Sequence, residues 1–131
     1  MDNFIQGLQV FRQVCEQKAT KRLRRIAMKA LELVVVGTPV LTGCCRGNWQ
    51  VSIDSLQKTF DKKKTDKNGS ETIKAGLVRI KSVKLGNDVL IENSCPYAMR
   101  LENGWSRQKP AGSMIREPLE KLRNAIKNGA M

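Results

Sequence analysis

From residue 8 to residue 36 the chain contains neither glycine nor proline, and its apolar residues recur at helical spacing. Phe4, Leu8, Phe11, Cys15, Ala19, Leu23, Ile26, Ala30 and Val34 follow at steps of three and four, which places them on one helical face. The spacing predicts a helix over 3–36, with Gly37 and Pro39 as its stop. At about 1.5 Å per residue such a helix runs roughly 50 Å, more than the width of a domain this small. Part of it must overhang the body or break. An apolar stripe is ordinarily core-facing; an overhanging part would be a means of reaching a neighbouring subunit.

The middle of this helix is basic. Lys18, Lys21, Arg22, Arg24, Arg25 and Lys29 crowd into it, and Arg22, Arg25 and Lys29 share a face off the apolar stripe. The face is either simply solvated or a ridge turned toward DNA or an acidic subunit. The whole chain is similarly unbalanced, with 24 Lys and Arg against 12 Asp and Glu, a net charge of +12. Such a balance implies an acidic partner or neighbourhood: nucleic acid, a membrane surface or a negatively charged protein.

Past the helix, the glycines and proline of 38–47 suit tight backbone turns, and they do not spell a phosphate-binding loop. Trp49, Val51 and Ile53 then alternate with polar residues, predicting a half-buried strand over 48–56 with Trp49 seated on the long helix. Residues 57–70 are lysine-rich, including Lys62, Lys63 and Lys64, and read as a mobile basic loop or hairpin tip. Over 72–82, Ile73, Leu77 and Ile80 favour a helix capped by Ser70 or Thr72, although Val78, Ile80 and Val83 also alternate as a strand would. A strand is predicted at 89–93 and a helix at 114–127, the latter with Pro118 in its first turn.

The segment 93–116 holds turn chemistry and a tryptophan but no long period. Pro96 suits a helix start, Gly104 its end, and Lys109-Pro110-Ala111-Gly112 a type I turn. Trp105 either packs back on the core or is presented to a partner.

With 131 residues and no linker, one domain spanning 1–131 is expected, able to bury about two-thirds of its unfolded surface. There is no histidine for acid–base work near neutral pH, and no nucleophile–base motif, so no enzyme is expected. Cys15, Cys44, Cys45 and Cys95 lack zinc-ligand spacing and read as free thiols in a reducing compartment; no metal or cofactor is called for. No apolar run reaches 18 residues, so no membrane span is expected, and the N-terminus lacks the regions of a signal peptide.

Two segments resemble signatures of a known family. They are Thr38-Pro39-Val40-x-Thr42-Gly43-x-x-Arg46-Gly47-x-Trp49 and Pro96-Tyr97-Ala98-x-x-Leu101-Glu102-x-Gly104-x-Ser106-x-Gln108-x-Pro110-x-Gly112-x-Met114. In this order they resemble the tailed-phage neck and tail-completion proteins, which include the minor tail protein Z group. Leu41 stands where that family usually has Asp, Cys44 where it has Arg, and Lys109 where Ala is common.

The resemblance implies an α+β domain with a long N-terminal helix and a C-terminal helix packed on a small, mainly antiparallel sheet. It further implies a structural virion protein, assembled in the host cytoplasm. Such a protein forms a hexameric ring at the neck, completes the tail, and joins it to the head around the DNA channel. Its partners would be copies of itself, the tail terminator, and connector or head-closure proteins. On that reading Arg46, Trp105, Ser106, Arg107, Gln108 and Lys109 face partners. Lys18, Arg22, Arg25, Lys29, Lys62, Lys63 and Lys64 would face DNA in the lumen or an acidic partner. The alternative from charge alone is a small basic protein binding nucleic acid through non-specific phosphate contacts.

Overall fold

Only the C-terminal half of the long helix finds a body to pack on. In the computed structural model, which describes residues 2–131, helix α1 (Asp2–Gly37) is unbroken. Ala27, Leu31, Val34 and Val35 are buried, but every residue from Asp2 to Ala19 is exposed. Phe4, Leu8 and Phe11 stand 69%, 53% and 68% exposed. The long helix overhangs rather than breaks, and for this half the core-facing reading of the stripe is corrected.

After α1 come α2 (Cys44–Gly47), β1 (Trp49–Ile53), α3 (Ser70–Ile80), β2 (Val89–Asn93), α4 (Ala98–Glu102) and α5 (Arg116–Lys127). The fold is α+β. Strands β1 and β2 form a two-stranded antiparallel sheet in which Trp49 faces Asn93 and Val51 faces Ile91. The core joins Leu31, Val34 and Val35 of α1 to Trp49, Val51, Ile80 and Met114. Helix α3 lies close on α1 because residue 76 is glycine: a Cβ there would sit 2.2 Å from Leu31 Cδ2.

Strand β1 stops at Ile53, short of 56, because Asp54 takes a left-handed φ of 69°. Its N–H donates to the Asp88 carbonyl at 2.8 Å, and its carboxylate accepts the Asp88 N–H at 2.8 Å. The ambiguous stretch after residue 70 is a helix, yet neither Ser70 nor Thr72 caps it. Asp66 does, accepting the Thr72 N–H at 2.8 Å, its hydroxyl at 2.8 Å and the Gly69 N–H at 3.1 Å.

The basic segment 57–70 is not a free tip. The Glu92 carboxylate takes the N–H groups of Gln57 and Lys58 at 2.7 and 3.3 Å. The Asn48 amide both accepts the Asp61 N–H and donates to its carbonyl, each at 2.9 Å. Asp66 N–H reaches the Gly43 carbonyl at 3.0 Å. These bonds strap the loop across the body while leaving Lys62, Lys63 and Lys64 exposed.

Helix α5 starts two residues later than the spacing suggested, because Met114 turns fully into the core. The Glu102 carboxylate takes the N–H groups of Ile115 and Arg116 at 3.3 and 3.0 Å, where the helix's unpaired donors favour an anion. The turn at 109–112 also differs, since the Gly112 N–H bonds the Glu102 carbonyl at 2.7 Å and the close pair is Ser113 to Pro110 at 3.3 Å.

Candidate partner-binding surface

Both signature segments converge on the C-terminal end of α1, where the last carbonyls have no helical partner. Thr38 donates its hydroxyl to the Val34 carbonyl at 2.7 Å and accepts the Trp49 indole N–H at 2.7 Å. From the first signature, the Arg46 guanidinium donates to the carbonyls of Val36, Thr38 and Lys67 at 3.1, 2.7 and 2.7 Å. From the second, the Lys109 ammonium donates to Val36 at 2.9 Å. Helix α1 has no basic residue in its own last turn, so these two borrowed cations meet the negative end of its dipole. Burial lowers the pKa of Arg46, and Asp66 opposes that shift.

The first loop can pass this close only because residue 43 is glycine. Its φ is +87°, and a Cβ there would lie 2.8 Å from the Lys67 nitrogen. The second loop is pinned to the first where Gln108 Oε1 accepts the Val40 N–H at 2.9 Å.

The residues expected to face partners therefore divide. Arg46 and Lys109 turn inward to the α1 terminus, and Gln108 ties loop to loop. Ser106 accepts the Gln108 N–H at 3.1 Å. Each of these four side chains is bonded within the chain. Trp105 and Arg107 are exposed. Trp105 does not return to the core: it is 73% exposed, with the Arg100 guanidinium carbon 5.3 Å from its ring centroid. A cation–π contact of this exposed kind contributes about 0.5–1 kcal/mol.

Between the converged loops runs an open groove of 610 Å³, whose apolar wall includes Pro39, Leu41, Tyr97, Leu101 and Trp105. Leu41 stands 87% exposed at its edge. Sequence reasoning passed over Leu41, Tyr97 and Leu101 as site residues. The signal available was Leu41 itself, a large apolar residue inside a turn-forming polar loop.

Three thiols are buried, Cys44 and Cys45 in the groove lining and Cys95 in the core, while Cys15 is exposed on the arm; all four are free. Burial pushes the Cys45 thiol up, with Cys95 adding to the effect. The Tyr97 phenol is pushed up as well, by burial first and then by the thiols of Cys95 and Cys44. A buried thiol held neutral as Cys45 is acts as a packing group, not a nucleophile. Among the described residues, no group of three or more His, Cys, Asp or Glu side chains is placed to hold a metal ion. No described helix is long and apolar enough to cross a membrane.

Of the basic candidates, Lys18, Arg25, Lys29, Lys62, Lys63 and Lys64 are exposed. Arg22, also exposed, donates to the main-chain oxygen of Met131 at 3.1 Å. Among the described residues the ion pairs are Arg12–Glu16 at 3.4 Å and Lys121–Glu117 at 3.8 Å, which involve none of these candidates. Five of the twelve acids, Asp54, Asp61, Asp66, Glu92 and Glu102, accept backbone N–H groups.

Compared with known protein families, with curated proteins and with solved structures, the chain matches no family model, no curated protein and no solved structure.

Proposed function

We propose that the protein is a self-assembling structural subunit of a tailed-phage neck. It forms a ring, hexameric by resemblance, that completes the tail and joins it to the head around the DNA channel. The observation that carries self-assembly is the arm: residues 2–19 of α1 project with Phe4, Leu8 and Phe11 in the open. A helix that keeps an apolar stripe in water is built to be covered. The assignment to the neck rests on the two signature segments and their order. The unpaired cations suit a lumen through which DNA passes, and the tail terminator and connector or head-closure proteins are the neighbours such a ring would meet.

The test is the solution mass, measured by light scattering during size-exclusion chromatography at low and high salt. A species near six times the 14.7 kDa chain that survives high salt is expected. A monomer at every concentration and salt would overturn self-assembly.

A second reading, non-specific binding to nucleic acid as an end in itself, is favoured by the same uncovered cations. Its mark is an affinity for duplex DNA that falls steeply with salt, with each phosphate contact adding about 0.9 to the log–log slope. A monomer that changes mass only with DNA, and only at low salt, is the outcome it expects.

A further inference from the structure

The groove and the arm are each apolar and each open, and they stand at opposite ends of one rigid helix. We infer that the groove between the signature loops receives the apolar arm of a second copy of this chain. The inference rests on the self-assembly reading and names its contact.

The arm has the form that a groove accepts. Phe4, Leu8 and Phe11 stand at positions i, i+4 and i+7 of α1, the anchor spacing with which an amphipathic helix enters an apolar groove. Their side chains project from one face over about 10.5 Å of helix axis. The groove has the capacity. A cavity of about 150 Å³ holds one benzene ring, so 610 Å³ has room for both phenylalanine rings. Leu41 and Trp105, 87% and 73% exposed, are the apolar surfaces that such an insertion would cover.

Charge agrees with shape. Residues 2–19 carry Arg12 and Lys18 against Asp2 and Glu16, a net charge of 0 in a chain of net charge +12. The groove is lined by Arg107 and by Trp105, whose ring Arg100 covers, and no Asp or Glu is among its lining residues. A charge-balanced arm thus meets a basic-edged apolar slot without like-charge repulsion.

The occupant cannot be the chain's own arm. Unbroken helix separates Phe11 from Gly37 by about 39 Å at the α-helical rise, and the groove begins at Pro39. A chain therefore offers an arm at one end and a slot at the other. Contacts of this kind are heterologous, and repetition of one such contact closes a ring or extends a filament.

Two variants test the contact. Phe4→Glu/Phe11→Glu spoils the arm and keeps the groove; Leu41→Glu/Trp105→Glu spoils the groove and keeps the arm. All four positions are exposed, so neither variant opens the core. Each variant alone should lose self-association by about 30-fold or more, the scale of an interface hot spot. An equimolar mixture should give a species of twice the 14.7 kDa chain and no larger, because only one productive contact remains per pair. If the groove variant alone still associates, or the arm variant does, the arm does not seat in the groove and this inference fails while self-assembly stands. If the unaltered chain is monomeric at all concentrations, self-assembly fails and takes the inference with it.

Discussion

The indole N–H of Trp49 meets the hydroxyl of Thr38 at 2.7 Å, and that hydroxyl in turn bonds the Val34 carbonyl at 2.7 Å. One buried oxygen thus fastens the head of β1 to the last turn of α1. Replacing it by a methyl, Thr38→Val, leaves a buried indole donor without an acceptor, a loss of about 1–3 kcal/mol. Urea unfolding should show a lower midpoint with an unchanged slope, and Thr38→Ser should restore most of the loss.

Arg46 is held by three carbonyls from two segments, a geometry that a point-charge ammonium does not reproduce. Arg46→Lys should therefore destabilise the chain by about 1–3 kcal/mol. Hydrogen exchange should quicken in the last turn of α1 and around Lys67. Exchange that stayed unchanged there would mean that the guanidinium is not the clamp.

Stability should depend on pH through Asp66 and Glu92. In both, burial raises the pKa, but hydrogen bonds from Thr72 and Gly69, and from Ser52, Gln57 and Lys58, prevail and lower it. A lowered folded pKa stabilises the fold above the ordinary values of 3.8 and 4.5, and that contribution fades as pH falls through the lower folded values. Thermal unfolding should thus be steady above about pH 5 and decline below it. Asp66→Asn should reduce the slope of that decline.

The two tryptophans should be separable by light. Trp49 is 5% exposed and Trp105 73%. Acrylamide should quench emission from Trp105 and spare Trp49. Trp105→Ala should change stability by no more than about 0.5 kcal/mol plus its cation–π contact. Shielding of Trp105 on self-association would report that the groove is covered.

How much could be read beforehand follows from the range of the forces involved. Helix α1 was legible because its periodicity is local, and strand β2 because its apolar run is; helix length alone left overhang or break as the alternatives. The cap of α3 was not, because Asp66 lies outside the helix and three residues before the backbone donor at Gly69 that it takes. The strap at 57–70 read as mobile because its anchors, Asn48 and Glu92, lie outside it and on either side. The intrachain bonds of Arg46 and Lys109 were not legible, because sequence shows their charge but not the helix end that it meets. The groove needs both loops at once, and no window along the chain contains both.

Helix α1 is also a lever. Its short end is gripped at Gly37 by residues from both loops; its long end carries Phe4 roughly 50 Å away at the α-helical rise. A tilt of about ten degrees at the grip sweeps Phe4 through about 9 Å. The bonds made by Thr38, Arg46 and Lys109 therefore aim the arm, and a change of a few degrees there separates a chain of contacts that returns to its start from one that spirals past it.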